Sequence, residues 1–475
     1  MVMGEQTIET EVLVIGSGPG GYAAAFRAAD LGLDVTMVDI EERPGGVCLF
    51  RGCIPSKTFL YLAELIHDAG RTGDMGVRFS KPEIDLAGLR AWKNKVIDKL
   101  SSGLVSLSEG RSVQRIQGRA TFETEDTVRV SGMQTVRITF KHAIIAVGSA
   151  PTPIPGTEFA PGSRIMDSSG ALDLPDIPER LLVVGAGYVG LEMGSVYAAL
   201  GSRVTLVEMG KRILPGVDPD LAKPLAKRLE TSFENLFFES SVKEMTETEN
   251  GVDVKFSGSI DPAQQRFDRV LVAVGRRPAT KELGLDKTGV KTDDRGFIKV
   301  DEQMRTADER IFSVGDVVGG AMLAHKATYE GKIAAEVVAG KPAVFDARAI
   351  PAVVYTDPQV AWCGLTEQEA RKKDIAYEVQ RFPWKFSGRA LTMDAAEGMT
   401  KILADPVSKQ ILGVGVVGRN TEGMISEGVL AMEMGALAED MALTIHPHPT
   451  LSETEGEAAE IFLGSATHIL SRKAK

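Results

Sequence analysis

Cysteine is nearly missing from this sequence, with three among 475 residues. So few cannot staple a secreted disulfide framework, so any bridge they form is expected to be redox-active, in a cytoplasmic or organelle-matrix setting. Positive charge is also short. Fifty-four lysines and arginines face 65 aspartates and glutamates, giving a formal charge of −11 with no basic stripe, which removes nucleic acid from the expected partners. No apolar run approaches the roughly 18 residues that span a bilayer, so no membrane crossing is expected. The opening MVMGEQTIETEVLVIG has no basic segment followed by an apolar core and cleavage site, so no secretory leader is expected either. Glycine, by contrast, is abundant at fifty residues, beside 43% hydrophobic and 25% charged content. That is the composition of a soluble α/β protein using glycine in turns, and the length points to about three domains.

The glycines are patterned. Residues 11–15 (EVLVI) read as a buried strand, followed by GSGPGG, a helical stretch GYAAAFRAADLG and a second strand DVTMVD. Gly16, Gly18 and Gly21 form G-x-G-x-x-G, and Asp39 stands eighteen residues past Gly21. The first glycine serves the turn, the second lets backbone approach a pyrophosphate, and the third packs helix on strand. The acid meets ribose hydroxyls. The unit then repeats: RLLVV, GAGYVG with Gly185, Gly187 and Gly190, the helix LEMGSVYAALG, and SRVTLVE ending at Glu208, again eighteen residues past the third glycine. An acid at Glu208 repels a 2′-phosphate, so this second site is expected to prefer NAD over NADP. Two such folds imply two dinucleotides, most usefully a nicotinamide and a flavin.

The stretch Gly45–Lys57, GGVCLFRGCIPSK, holds the other chemistry. Cys48 and Cys53 are five positions apart. In an ideal helix that spacing gives a rise of roughly 7.5 Å with the side chains on different faces. A disulfide wants Cα atoms about 4.4–6.8 Å apart, so the two bridge only if the backbone bends; otherwise they are two separate buried thiols. Gly45, Gly46 and Gly52 permit a bend, and Pro55 suits the first turn of a helix running through Lys57. A thiol at Cys53, at a positive helix end near Lys57, is expected to ionise below the free value of about 8.5. Two further strand-then-glycine segments, ending near Gly148 and Gly275, read as crossings between domains, with Pro151, Pro153 and Pro155 as a stiff linker. IFSVGD reads as a strand delivering Asp316 toward a sugar-like hydroxyl. From Ile350 the texture changes to alternating strands and one amphipathic helix, GMISEGVLAMEMGALAED, the marks of a domain for contact or assembly.

With these motifs in place, the chain resembles the pyridine nucleotide–disulfide oxidoreductases over nearly its full length, and within them the members that oxidise dihydrolipoamide. The motifs are GSGPGG with Asp39, GGVCLFRGCIPSK, GAGYVGLE with Glu208, TADERIFSVGD and HPHPTLSE at 446–453. The resemblance implies an α/β fold with two Rossmann-like dinucleotide-binding domains and a C-terminal α+β interface domain. The boundaries expected are 1–150 for FAD, 151–279 for NAD, 280–349 completing the FAD site, and 350–475 for dimerisation. It implies FAD at Gly16, Gly18, Gly21, Asp39, Lys57, Gly148, Asp316 and Ala324, and NAD at Gly185, Gly187, Tyr188, Gly190, Glu192, Glu208 and Gly275. It also implies a redox disulfide Cys48–Cys53, a base His448 oriented by Glu453, a Lys57–Glu192 pair near the flavin, and a homodimer in which His448 reaches the other chain's disulfide. His446 is read as structural or merely exposed. Cys363, His67, His142, His325 and His468 have no spaced partners and read as structural or surface residues. The expected partners are lipoyl-bearing proteins, either a 2-oxo acid dehydrogenase acyltransferase or the glycine cleavage carrier.

The chain departs from the family's usual cysteine stretch at Val47, Phe50 and Arg51, where threonine and asparagine-valine are common. Arg51 either makes the redox site more electropositive or points to solvent. Tyr188 either gates the nicotinamide pocket or simply packs. Relatives are separable on residues. A glutathione reductase should carry basic residues where Glu208 stands, a mercuric reductase should carry a second cysteine pair near its C-terminus, and a non-catalytic flavin-binding assembly protein need not keep the cysteine, lysine, histidine and glutamate set.

Overall fold

The computed structural model describes residues 6–133 and 135–470. Its first sheet grows around the strand Gln6–Ile15, which lies parallel between Val35–Asp39 and Thr135–Ile145. Val12, Leu13 and Val14 have no exposed surface and Ile15 only 3%, because helices cover one face and an antiparallel flap the other. A strand buried on both faces reads as an unbroken apolar run, which is why EVLVI shows no alternation. Each such Val, Leu or Ile side chain contributes about 1.5–3 kcal/mol by leaving water. The flap, Arg119–Phe122 and Thr127–Ser131, extends the sheet antiparallel beyond Thr135–Ile145, while Ile311–Ser313 joins the C-terminal part of that strand in parallel.

The helix Pro19–Asp30 starts on proline and buries an alanine face. It lies close against Ala324–Val338, where a Cβ on Gly331 would come within 2.3 Å of the Gly20 carbonyl oxygen. The second sheet repeats the plan, with Asn235–Phe237, Arg203–Val207, Arg180–Val184, Arg269–Val272 and Ile165–Met166 all parallel in that order. The two glycine-ended crossings pair with each other as a short antiparallel ribbon, Ser149–Pro151 with Arg276–Pro278.

The last region is a five-stranded antiparallel sheet, ordered Ala352–Val354, Gln359–Gly364, Ile411–Gly418, Met399–Ala404, Glu378–Pro383. The single amphipathic helix expected at its end is instead two, Thr421–Glu433 and Ala438–Leu443. Gly435 takes φ +68, and the Ala436 N–H turns back to the Ala431 carbonyl, so the apolar period continues in sequence while the helix stops. This sheet is locked to the second sheet's helix Pro219–Ser232 by Lys401. Its buried ammonium meets Asp218 at 2.8 Å, Asp220 at 2.9 Å and Glu367 at 2.6 Å. The lysine occupies the centre that three converging carboxylates would otherwise offer to a cation.

Candidate active site

The first glycine loop is built as its spacing predicts. Gly16 has φ +102, in the region that favours glycine, and a Cβ there would lie 2.4 Å from the Ala146 carbonyl oxygen. A Cβ on Gly21 would meet the Gly16 oxygen at 1.8 Å, so helix and strand touch through backbone. Asp39 ends its strand and accepts from the Ser17 N–H at 2.5 Å and the Ser17 hydroxyl at 2.8 Å. A cavity, open at its mouth, runs from this loop into the heart of the molecule. Its walls carry Gly16, Gly18, Asp39, Cys48, Cys53, Lys57, Gly148, Asp316 and Ala324, gathering the first-site residues except Gly21 along one channel. The strand expected over Ile311–Asp316 stops at Ser313, and Asp316 sits instead in a 3₁₀ turn Gly315–Val318.

The cysteines face that channel from two helices. Gly46–Arg51 carries Cys48, and Cys53 opens the next helix, Cys53–Arg71. The break falls at Gly52, where a Cβ would press on the Val47 oxygen at 2.9 Å and Cys48 Cα at 3.2 Å. The chain bends between the two cysteines, which are both free in the structure and near enough for each thiol to perturb the other's ionisation. The hydrogen bond from Cys48, joined by the Lys57 ammonium, brings the Cys53 thiol down to about 7 despite the opposing effect of desolvation. The same contact, together with desolvation, pushes Cys48 far up. Cys53 has exposed surface because it lines this open cavity. Lys57 donates to the buried Glu192 at 2.8 Å, and Glu192 is held in turn by the Tyr355 N–H at 3.0 Å. The Lys57 ammonium also sits 4.5 Å from the centre of the Tyr355 ring.

At the second glycine loop, Gly185 has φ +106, and Glu208 accepts from the Ala186 N–H at 2.8 Å and the Gly210 N–H at 2.6 Å. A Cβ on Gly190 would meet the Gly185 oxygen at 2.1 Å, whereas at Gly187 and Gly275 no non-neighbouring atom among the described residues lies within 4 Å of such an atom. Tyr188 and Glu192, on the helix that begins here, reach across to line the first cavity. Tyr188 therefore stands between the two loops, and it is 41% exposed.

His448 and Glu453 are joined as the motif predicts, Nδ1 to Oε1 at 2.8 Å. Glu453's other oxygen accepts from the Thr450 N–H at 2.7 Å. Burial pushes the Glu453 carboxyl up, but the Thr450 N–H and His448 outweigh it and hold the group below the usual carboxylate range. His448 itself is 74% exposed and lies outside its own chain's cavity wall. His446 is structural and not merely exposed, since its ring bridges Glu427 at 2.8 Å and the Thr444 carbonyl at 2.9 Å with 9% of the side chain accessible. Cys363 is buried beside Met432.

Residues 10–331 match the family model described as pyridine nucleotide-disulphide oxidoreductase, and residues 350–459 match that family's dimerisation domain. The chain belongs to the pyridine nucleotide-disulphide oxidoreductases. A relative from Vibrio cholerae named dihydrolipoyl dehydrogenase is 46% identical, covering 98% of each chain. A protein of the same name from Geobacillus stearothermophilus is 44% identical over 99% of this chain and all of its own. Among solved structures, LpdA from Mycobacterium tuberculosis aligns with a TM-score of 0.88 at 26% identity, over 95% of this chain and 99% of that one. The flavoprotein disulfide reductase RclA from Escherichia coli aligns at 0.84 and 26%, with the same coverage.

Several side chains of this oxidoreductase site escaped the sequence reading. Arg276 donates to the Ser149 hydroxyl and carbonyl, each at 2.7 Å, and Ser149 donates to Asp316 at 2.5 Å. The doubled arginine after Gly275 was the available signal. The buried Glu330 accepts from the Gly315 N–H at 2.8 Å and fixes the turn that carries Asp316. Tyr355 had no local signal, because its strand-end position belongs to the last region.

Proposed function

We propose that this chain is a dihydrolipoyl dehydrogenase, oxidising protein-bound dihydrolipoamide to lipoamide and reducing NAD⁺ to NADH. The observation that carries this reading is the interacting Cys48–Cys53 pair, set in the wall of a channel reached by both nucleotide-binding units. The donor set fits a flavin dinucleotide: a bare glycine loop opening a helix for the pyrophosphate, Asp39 for ribose hydroxyls, and Asp316 beside Gly148 farther along. FAD, when bound, supplies the ring that takes the electron pair from sulfur and passes it to NAD⁺ as hydride.

His448, oriented by Glu453, takes a proton from one substrate thiol. The resulting thiolate attacks the Cys48 sulfur of the oxidised pair, the Cys48–Cys53 bond breaks, and Cys53 leaves as a thiolate. The second substrate thiol then displaces Cys48 as lipoamide closes its own disulfide. The Lys57 ammonium lowers the Cys53 thiol's pKa, and a sulfur of lower pKa leaves faster. Lys57, fixed by Glu192, keeps positive charge beside the thiolate. Glu208 accepts hydrogen bonds from free ribose hydroxyls and repels a 2′-phosphate, selecting NAD. His448 serves the cysteines of a second subunit, a reading supported by its exposure and its position away from its own cavity. Activity then requires a homodimer. The partition 1–150, 151–279, 280–349 and 350–475 goes with this reading, as do lipoyl-bearing partner proteins.

The test offers the purified yellow protein dihydrolipoamide with NAD⁺ and, separately, NADPH with glutathione disulfide. NADH formation in the first assay is expected. Turnover only in the second would make the chain a glutathione-reductase-like enzyme instead.

A further inference from the structure

The two least expected residues of the cysteine stretch, Phe50 and Arg51, turn toward one and the same segment. Arg51 Nη1 donates to Glu41 Oε1 at 2.6 Å. The Arg43 guanidinium sits 5.9 Å from the centre of the Phe50 ring, and its Nη2 donates to Asp98 at 2.9 Å on the helix Leu86–Gly110. Glu41 and Arg43 belong to the turn directly after Asp39, and the Glu41 N–H donates to Asp39 at 2.9 Å. The same turn ends on Gly45, whose N–H donates to the Ser17 carbonyl at 2.8 Å. Asp39, Glu41 and Arg51 all line the cavity. The helix that bears Cys48 is thus strapped across to the ribose-binding acid. An asparagine and a valine at positions 50 and 51 would supply neither the ring nor the cation.

We propose that Phe50 and Arg51, with Glu41 and Arg43, form a clasp over the adenosine end of the flavin channel that slows FAD release. The inference rests on the FAD reading above. The acid that closes the second strand of a dinucleotide fold receives the ribose of the adenosine half, so a segment pinned beside Asp39 forms the rim at that end. Arg51 and Glu41 are 38% and 32% exposed, which places the pair on the rim and makes it sensitive to salt. A planar guanidinium with spare donors at such a rim also suits a phosphate-bearing ligand.

The experiment follows fluorescence of flavin freed from the purified holoprotein at low and high ionic strength. Arg51→Val and Glu41→Gln should each speed release about two- to fivefold at low salt, the scale of a partly exposed charge pair. The double variant should release no faster than either single, because both break one contact, and the gap from the parent should narrow at high salt. Phe50→Asn should also speed release. Glu41→Gln, which keeps the side chain's shape, carries the test if Arg51→Val fails to fold. Release within twofold of the parent in every variant, or effects of Arg51→Val and Glu41→Gln that multiply in the double, would overturn the clasp. A protein that neither purifies with flavin nor takes it up would instead overturn the FAD reading beneath it.

Discussion

The two glycine loops are near copies in their scaffolding and differ in what stands in front of them. Gly16 and Gly185 adopt φ of +102 and +106, and their would-be Cβ atoms press on the carbonyls of Ala146 and Ala273 at 2.4 and 2.5 Å. Asp39 and Glu208 each accept from the N–H of the residue after that glycine, Ser17 and Ala186. Ahead of the first loop stands the redox helix, with Gly46 so close to Gly18 that a Cβ on it would lie 2.5 Å from the Gly18 Cα. A Cβ on Gly18 itself would find the Gly46 Cα at 3.9 Å, whereas at its counterpart Gly187 no non-neighbouring atom among the described residues lies within 4 Å. One repeated scaffold thus yields a walled channel suited to a retained cofactor and an open shelf suited to an exchanging one. The wall rather than the loop makes the distinction.

The largest effect expected from breaking this comparison is that of Cys48→Ser, which should abolish lipoamide turnover, a fall of about 10³-fold or more. Flavin should stay bound, and NADH should still reduce an artificial acceptor, because the shelf and channel remain. Steady-state rates with the two acceptors check this. Next is Glu453→Gln, which leaves His448 without its carboxylate and should lower the dihydrolipoamide rate by about 10²-fold, the lower range for a positioned base. Glu208→Gln should raise the KM for NAD⁺ roughly tenfold or more, as expected on losing charge-assisted hydrogen bonds, while flavin content is unchanged. Asp39→Asn should do the reverse, weakening flavin retention and sparing that KM. The smallest effect is a pH profile. Because the Cys48 contact and Lys57 draw the Cys53 thiol down to about 7, its thiolate is present above that pH and lost below it. Alkylation of the reduced protein, mapped by mass spectrometry, should show Cys53 labelling rise through a midpoint near 7, moving upward in Lys57→Met.

Much of this was legible because it is local. Strand, glycine loop, helix and acid fall within about thirty consecutive residues, each link with a steric or hydrogen-bonding reason. The helix through Lys57 was readable for the same reason, while the bend at Gly52 was only permitted by its glycines and the His448–Glu453 pairing came from the resemblance of HPHPTLSE to the family motif. What stayed hidden is contact between distant segments. Ser149 meets Arg276 only because two crossings pair as a ribbon, and Tyr355 reaches Lys57 and Glu192 from a different sheet. The helix expected through Gly435 failed for a different reason. Its apolar period ran on, and only a backbone angle marked the stop.

The most direct measurement traps the cysteines. The protein is mixed anaerobically with one equivalent of dihydrolipoamide, quenched with an alkylating reagent, and the peptide Gly45–Lys57 is weighed against an untreated sample. The account predicts an internally bridged, unlabelled peptide before mixing and label on both Cys48 and Cys53 afterwards. Labelling that is the same with and without the dithiol would contradict it.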